Sequence, residues 1–564
     1  MNYYIFGAGN NAKTLFKEMR KHGCNVIGVV DNNAEKVRNS SGLIVESPRI
    51  LLDVDKRKTC VAISPSAPDV VSEIVSQLVE MGFDKKNFFW AGDVFNLHKG
   101  EPHIVSGRLE NYGEYESVKT YDKHSRLVIS QKERKIYRIY NDENEKQKIE
   151  VLLSQLKAAN LLGKYVVDSW IEEDLMNQKT CFAIGHKFID PITYCFEWTP
   201  EMFSAYVLFM LELIVKLAEI DLCLGDAHNL NATISEGRFI FIDFGALKEG
   251  VMPRYSIVNF MNTHLIPLLL MLKDQSEIAY TYLQNPSNNY SVSDVHGYLS
   301  ESEKESLNGL YHRGFTAYEH RDVIELMLDV KAFILNTENE LENTIWTGYQ
   351  NDEWEWDAYK EKWSTKMQNV AGLLDELAPT TVVDLAGNMG WYGSYGCAGR
   401  ERSIVVDFDR NCVTDLWKRI NNNNMNNVSA VYMSFCSPTN KYYKDYQIGT
   451  SGLVAWRKDA FERFRSELAI GLAIVHHLAF SYQLSFDEIV DQFALFTDRY
   501  LIIEFIERGD IYSMNFWNQY KGFEWYTKEG FEEALGKRFK ILRVLPSSPE
   551  ETRNIYLCKK KNDS

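Results

Sequence analysis

Basic runs, paired cysteines and unbroken apolar stretches are all scarce in this 564-residue sequence. The longest basic cluster is the KKKN of residues 559–562, and 78 acidic against 62 basic residues leave a formal net charge of −16. A chain of that sign repels nucleic acid and anionic membrane, so neither is an expected partner. The nine cysteines (24, 60, 181, 195, 223, 397, 412, 436 and 558) are odd in number, scattered, and never spaced CxxC. That pattern argues against a disulfide framework and against a zinc site, and it predicts reduced thiols in a cytoplasm. The opening MNYYIFGAGNN has no basic region of the kind that starts a signal peptide. The most apolar stretch, residues 205–217, is interrupted by Glu212 and Lys216, which predicts a buried helix and no transmembrane segment.

What is present is a globular composition, 45% hydrophobic and 25% charged, over a length that implies two to four domains. Three organisations follow one another. Residues 1–97 alternate strands (2–6, 25–30, 59–64) with helices (11–22, 70–81), the pattern of a parallel sheet. Residues 98–345 begin with short strands at 126–131 and 135–140, then helices at 143–159 and 200–219. A turn-rich GDAHNLN, a strand at 238–243 and further helices complete a small sheet followed by a helical lobe. A hinge containing Trp346, Trp354, Trp356 and Trp363 opens the last segment, 346–564. Alternation returns there, with strands at 381–385, 403–407, 467–474, 500–505 and 554–558. The asparagine run 421–424 reads as a surface loop.

The first motif is Gly7-Ala8-Gly9-Asn10-Asn11-Ala12, between a strand and a helix. Gly7 permits the tight turn, Gly9 lets a phosphate approach the backbone, and Asp31 ends the second strand where a ribose hydroxyl is read. Two readings stay open, a nucleotide or nucleotide-sugar site and a Rossmann scaffold with no ligand. The segments IFGAGNNAKTLFKEM, VIGVVDNN and VAISPS resemble N-terminal domains of sugar-modifying enzymes in bacterial surface-polysaccharide pathways.

The second motif is Leu224-Gly225-Asp226-Ala227-His228-Asn229-Leu230-Asn231, followed by Phe239-Ile240-Phe241-Ile242-Asp243-Phe244-Gly245. Phosphoryl transfer uses an Asp at the acceptor hydroxyl, then an amide and a second Asp that hold magnesium on the phosphates. Asp226 fits the base, and Asn231 and Asp243 fit the metal ligands. The pair of loops resembles those of protein-kinase-like and aminoglycoside-phosphotransferase-like folds, which implies ATP and Mg2+ as cofactors. The sequence departs from that pattern in two places. No glycine-rich loop precedes the first strands, and the strand position of the ATP-binding lysine reads Ile136-Tyr137-Arg138-Ile139. Arg138 is the candidate substitute, with Glu150 as its expected helix partner and Glu145 as a second choice; Arg and Lys are not interchangeable at a phosphate. The stretch Phe188-Ile189-Asp190-Pro191-Ile192-Thr193-Tyr194-Cys195-Phe196-Glu197-Trp198 resembles the inter-lobe segment of bacterial proteins that fuse a kinase-like domain to a methyltransferase in glycan gene clusters.

The third motif is Val382-Val383-Asp384-Leu385-Ala386-Gly387-Asn388-Met389-Gly390-Trp391-Tyr392, with Val405-Val406-Asp407-Phe408-Asp409 closing the next strand. A glycine turn lets the backbone approach a ligand, and an ionised carboxylate such as Asp407 accepts from two ribose hydroxyls. These residues resemble the first two motifs of class I methyltransferases. The resemblance implies S-adenosylmethionine held by Asp384, Gly387, Gly390 and Asp407, although Ala386 stands where a glycine is usual. His476 and His477 follow the expected fourth strand and are candidates to deprotonate or orient the acceptor. Glu504 reads as structural or acceptor-positioning.

The expected fold is therefore α/β multidomain: a Rossmann-like domain, a kinase-like α+β domain and a class I methyltransferase domain. The leading functional expectation is a cytoplasmic methyltransferase that tailors a sugar, a glycan end or a phosphorylated metabolite, phosphorylation preceding methylation. Its expected partner is a small-molecule, nucleotide-sugar or glycan acceptor. An anionic phosphate oxygen needs no base to accept a methyl group, a physical reason to join the two chemistries. Bacterial O-antigen chain-terminating enzymes resemble this pairing in the reverse domain order. Two alternatives remain: a methyltransferase acting on a peptide or small natural product, with inactive kinase-like and Rossmann modules, and a redox reading in which the N-terminal domain takes NAD(H). The oligomeric state is not readable.

Overall fold

Near-continuous apolar runs make strands that are covered on both faces. Asn2–Phe6 and Thr59–Ile63 are of this kind, whereas Asn25–Val30 leaves Ile27 exposed. With Val45–Glu46 and Phe88–Trp90 they form a five-stranded parallel sheet whose order, numbered along the chain, is 3-2-1-4-5. Helices Asn10–Lys21 and Pro68–Glu80 connect its strands. The computed structural model describes the whole chain except residues 22–23, 35–43, 66–67, 85–86, 91–103, 110–112, 120–124, 131, 141, 143, 174–181, 285–290, 342–343, 345–359, 439–458, 511–513, 515–521, 550–551 and 562–564. Cys181, Trp346, Trp354 and Trp356 lie outside the described residues.

A six-stranded antiparallel sheet comes next in the chain. Across it run Ser169–Ile171, Phe182–His186, Lys135–Tyr140, Ser125–Ser130, Gly113–Lys119 and Ile104–Leu109. Helix Asn144–Ala158 interrupts the series and buries Leu152, Leu153 and Leu156. The helical lobe is built on Pro200–Ala218. Thr199 caps that helix by accepting from Met202 N at 3.2 Å, and Pro200 occupies its first turn, where a missing N–H is no loss. Two hairpin strands, Ala232–Ser235 and Arg238–Phe241, lie against the lobe. Helices Glu301–Thr316 and His320–Asn336 complete it. The stretch Arg254–Leu272 contains a π turn, Met261–Leu265. Among the described residues it is the one helical run long and apolar enough to cross a membrane, and it is largely buried inside this lobe.

The last region is a seven-stranded sheet of order 3-2-1-4-5-7-6. Its strands, along the chain, are Thr381–Leu385, Arg402–Asp407, Val428–Tyr432, Ser466–Gly471, Thr497–Ile506, Phe539–Pro546 and Arg553–Lys560, and the last is antiparallel to its neighbours. Two expectations are corrected here. The fourth strand ends at Gly471, not residue 474, because Ala473 turns into left-handed conformation (φ 52°). The asparagine run 421–424 is the last turn of helix Arg410–Asn423, with Asn424 (φ 52°) as its left-handed cap; asparagine tolerates that conformation.

The three regions share packed interfaces. Tyr3 OH meets His312 Nδ1 at 2.8 Å, and Phe89 stacks on Phe315. On the other side, buried Arg463 makes two bonds to buried Glu197, at 2.9 and 2.5 Å, and a third to Ile192 O at 2.7 Å. Thr414 and Thr199 hydroxyls pair at 2.7 Å, and Arg402 reaches Asp190 at 2.8 Å.

Candidate active site

Asp384 and Asp407 are the buried carboxylates at the carboxyl ends of the first two strands of the seven-stranded sheet. Between them the chain turns through Ala386 (φ 60°), Asn388 (φ 52°) and Gly390 (φ 83°), all left-handed. Asp407 holds this turn: Asn388 N donates to one oxygen at 2.7 Å and Asp409 N to the other at 2.8 Å. Gly393 N donates to Asp384 at 2.9 Å. The glycines are fitted to Asp384. A Cβ on Gly387 would lie 2.7 Å from Val405 Cγ1 and 2.8 Å from Asp384 Cγ, and one on Gly393 would lie 2.8 Å from Asp384 Cβ. Left-handed backbone costs a non-glycine residue about 1 kcal/mol or more, so Ala386 carries strain at this turn. Burial pushes the Asp384 carboxyl up to about 7 and that of Asp407 up to about 6, the latter against the pull of its backbone donors.

Beside Asp407 lies an apolar cleft lined among others by Ala386, Phe408, Ser434, Ile474 and Tyr482. Its walls are apolar and its carboxylate is an acceptor, which suits a nucleoside with a ribose hydroxyl pair. Sequence reasoning missed Asn388, Gly393, Phe408 and Tyr482. The three-residue spacing of Gly387, Gly390 and Gly393 was the available signal for Gly393.

His476 and His477 stand in the first turn of helix Val475–Phe480, just beyond the cleft wall, with ring centroids 4.2 Å apart. His476 is buried, and burial, reinforced by His477 and Arg553, lowers it to about 3. His477 is lowered by burial alone and is more open. Glu504, fully buried, sets the turn that leads to them. It accepts from Ala473 N at 2.7 Å and from Lys366 Nζ at 2.8 Å, and also from Ser547 Oγ. Trp363 packs edge-on against Trp391 at 5.2 Å.

In the central region the loop after Leu222–Leu224 carries Asp226 and Asn231, and Asp243 follows the strand Arg238–Phe241. Asn231 Nδ2 donates to Asp226 O at 3.2 Å, and Ile242 N donates to Asn231 O at 2.8 Å, which ties the two loops together. Asn259 Nδ2 donates to Asp226 Oδ1 at 3.2 Å. Asp243 Oδ1 accepts from Gly245 N and from Arg138 NH2, both at 3.1 Å. Burial raises the Asp243 carboxyl; Arg138 opposes that rise and Asp226 adds to it.

The expected Arg138–Glu150 pair does not form. Glu150 lies two residues from Leu152, off the buried stripe of its helix, and pairs at 4.0 Å with Lys146 on the surface. Glu145 is likewise taken, by Lys148 at 2.9 Å. Arg138 turns instead to Asp243. Asp243 as placed is already the counter-ion of Arg138.

In the first region, Gly7 (φ 96°) is required by packing, since a Cβ would lie 2.7 Å from Pro65 Cδ. Gly9 faces open space. Asp31 accepts from Ala8 N at 2.8 Å and Asn33 N at 2.7 Å, so it holds its own turn much as Asp407 does. The eight described cysteines are free thiols, and no cluster of metal-ligating His, Cys, Asp or Glu occurs among the described residues.

The strand order and the glycine turn together define the C-terminal region as a Rossmann-like fold. No family model matches the chain. It is 23% identical over 406 residues to the nodulation protein NoeA of Rhizobium meliloti (strain 1021), covering 65% of this chain and 80% of that protein. Among solved structures, N-methyltransferase NodS from Bradyrhizobium japonicum WM9 is 10% identical, with a TM-score of 0.25 over 35% of this chain and 97% of its own. The magnesium protoporphyrin IX methyltransferase ChlM of Synechocystis PCC 6803, solved with bound S-adenosylmethionine, is 14% identical, with a TM-score of 0.24 over 34% of this chain and 79% of its own.

Proposed function

We propose that this chain is an S-adenosylmethionine-dependent methyltransferase that tailors a sugar, a glycan end or a related metabolite, with the central region holding the acceptor or a nucleotide. The observation that carries the reading is the left-handed turn 386–390, hung on buried Asp384 and Asp407 at the carboxyl ends of adjacent strands. Asp407 accepts the ribose hydroxyls, Phe408 and Tyr482 flank the nucleobase, and the methionine end lies over Gly387 and Gly390. S-adenosylmethionine supplies an electrophilic methyl group. The chain's part is to align the acceptor in line with it and to exclude water. A neutral hydroxyl is helped by a base, and His477, less depressed than His476, suits that task better.

Calorimetric titration of S-adenosylmethionine into wild type and Asp407→Ala tests this. Wild type should bind, and the variant should lose at least about tenfold in affinity, the worth of one or two charge-assisted hydrogen bonds. A wild-type chain that takes up no S-adenosylmethionine would end the proposal.

One observation favours the second reading, in which the central region binds and does not transfer phosphate. Its would-be metal ligand Asp243 is engaged by Arg138.

A further inference from the structure

We infer that the groove between helices Glu301–Thr316 and His320–Asn336 of the helical lobe binds a short chain of uncharged sugars. The groove shares no lining residue with the cleft beside Asp407, and the inference goes beyond the methyltransferase reading without depending on it.

The groove exists because the two helices face each other with small residues. Ser302, Ser306 and Gly309 recur at steps of four and three along the first helix, so they share one face, and Ala332 stands on the second. None of these side chains is long enough to close the gap, and a space of about 510 Å3 stays open beside Leu310 and Phe333. Sites for small organic ligands fall at about 300–1,000 Å3. The lining runs from Ser302 to Arg313 on the first helix, a length of about 16 Å at 1.5 Å per residue, which suits an elongated ligand. Gly309 is the telling position. A glycine inside a helix is less stable than an alanine, and Gly314 on the same helix has a packing reason, since a Cβ there would lie 3.3 Å from Ile257 Cγ2. Gly309 has no such reason: nothing lies within 4 Å of where its Cβ would be, and the helix backbone is left open to a ligand.

The lining chemistry selects that ligand. Its charged residues are Glu303, Asp329 and Arg313, one cation against two carboxylates, which disfavours a phosphate or a carboxylate. Each is fixed in advance. Arg313 pairs with Asp329 from helix to helix. Glu303 accepts from Ser300 N at 2.7 Å and Ser300 Oγ at 2.8 Å, and it pairs at 3.3 Å with Lys273, whose side chain is 6% exposed. An arginine has five N–H donors and an ionised carboxylate about four acceptor sites, so these pairs leave capacity on both kinds of group. Ser302, Ser306 and Asn336 add polar side chains that bond no other described residue. Neighbouring sugar hydroxyls, each a donor and an acceptor, match this mixture. Leu310 and Phe333 give the C–H face of a sugar ring an apolar rest, and they are too little apolar surface to seat the stripe of an amphipathic helix.

The test is a saturation-transfer NMR titration of the full chain with maltotriose, cellotriose and chitotriose, three uncharged trisaccharides, and with trigalacturonate, an anionic chain of the same length. At least one uncharged trisaccharide should bind with a Kd of about 1 mM or below, and trigalacturonate should bind at least about tenfold more weakly than the best of them. Gly309→Leu fills the groove with a good helix former, so it should melt no lower than wild type and weaken binding by at least about tenfold. Asp329→Asn keeps the shape of the groove and should weaken binding by at least about threefold. S-adenosylmethionine titrated into the same samples should bind all three chains alike, and its failure to bind would touch the methyltransferase reading alone. The inference is overturned if none of the three uncharged chains binds at about 10 mM, if trigalacturonate binds as tightly as the best of them, or if Gly309→Leu binds undiminished. A dimer of this chain that Gly309→Leu breaks up would assign the groove to a second copy and would overturn it too.

Discussion

Asp384 and Asp407 are buried in the same turn, yet they do different work. Asp384 is closed in by Gly387 and Gly393 and serves the backbone. Asp407 also faces the cleft. Both carboxyls are raised above their ordinary 3.8, to about 7 and about 6. A raised acid holds its proton more tightly in the folded chain. Its contribution to the stability of the free protein is therefore complete below the unfolded value and is lost as pH rises through the folded one. Ligand binding runs the other way, because an ionised Asp407 is the better acceptor for a ribose diol. S-adenosylmethionine affinity should be level above about pH 7 and fall by up to about tenfold per unit below about pH 6, with Asp407→Asn flattening that limb. Calorimetry from pH 5 to 8 measures it, and a flat wild-type profile would remove Asp407 from ribose recognition. The same logic divides the histidines. His476, lowered to about 3, is the weaker base, whereas His477, lowered by burial alone, keeps more basicity.

At the scale of elements, the turn 386–390 makes opposite demands on neighbouring residues. Gly387 has no room for a Cβ, while Ala386 carries one in left-handed backbone. Gly387→Ala should cost about 1–3 kcal/mol by overpacking and abolish S-adenosylmethionine binding. Ala386→Gly should be neutral or stabilising by up to about 1 kcal/mol, the relieved strain offset by the freer unfolded glycine. Thermal melts with and without S-adenosylmethionine separate the two, and a destabilised Ala386→Gly would contradict the strain argument. This turn was legible in the sequence because glycines and an acidic residue at a strand end have a spacing. Its backbone donors, Asn388 N and Gly393 N, were not, since every residue has an N–H. The strands Asn2–Phe6, Lys135–Tyr140 and Thr381–Leu385 were legible from their apolar runs. Short or edge strands such as Val45–Glu46 and Ser169–Ile171 carry too few residues to show a period. The partner of Arg138 was misread for a rotational reason: two residues along a helix turn a carboxylate away from the core, and sequence distance alone does not reveal which side Glu150 occupies.

At the scale of the molecule, the segment that joins the small sheet to the helical lobe is also where the seven-stranded sheet region docks. Arg463 reaches from helix Ala460–Phe464 to Glu197 and Ile192 O, and it lies over the Tyr194 ring at 4.3 Å. Helix Arg410–Asn423, whose capping residue Asp409 donates its N–H to Asp407, packs on helix Pro200–Ala218 through Thr414–Thr199 and Arg410–Glu201. Asp407 and the segment 188–198 are thus two steps apart through one helix. The fully buried Arg463–Glu197 pair should make the two regions unfold together. Removing one partner of such a pair costs about 3–5 kcal/mol, whereas replacing both with apolar groups of similar volume is near neutral. In calorimetric scans S-adenosylmethionine should shift a single transition spanning both regions in wild type. Arg463→Ala should split it, with only the methyltransferase component still shifting. Arg463→Leu combined with Glu197→Leu should restore the single transition, because the apolar contact survives without the charges. A wild-type scan that already shows two transitions, only one of them responding to S-adenosylmethionine, would mean that the interface joins the regions without coupling them.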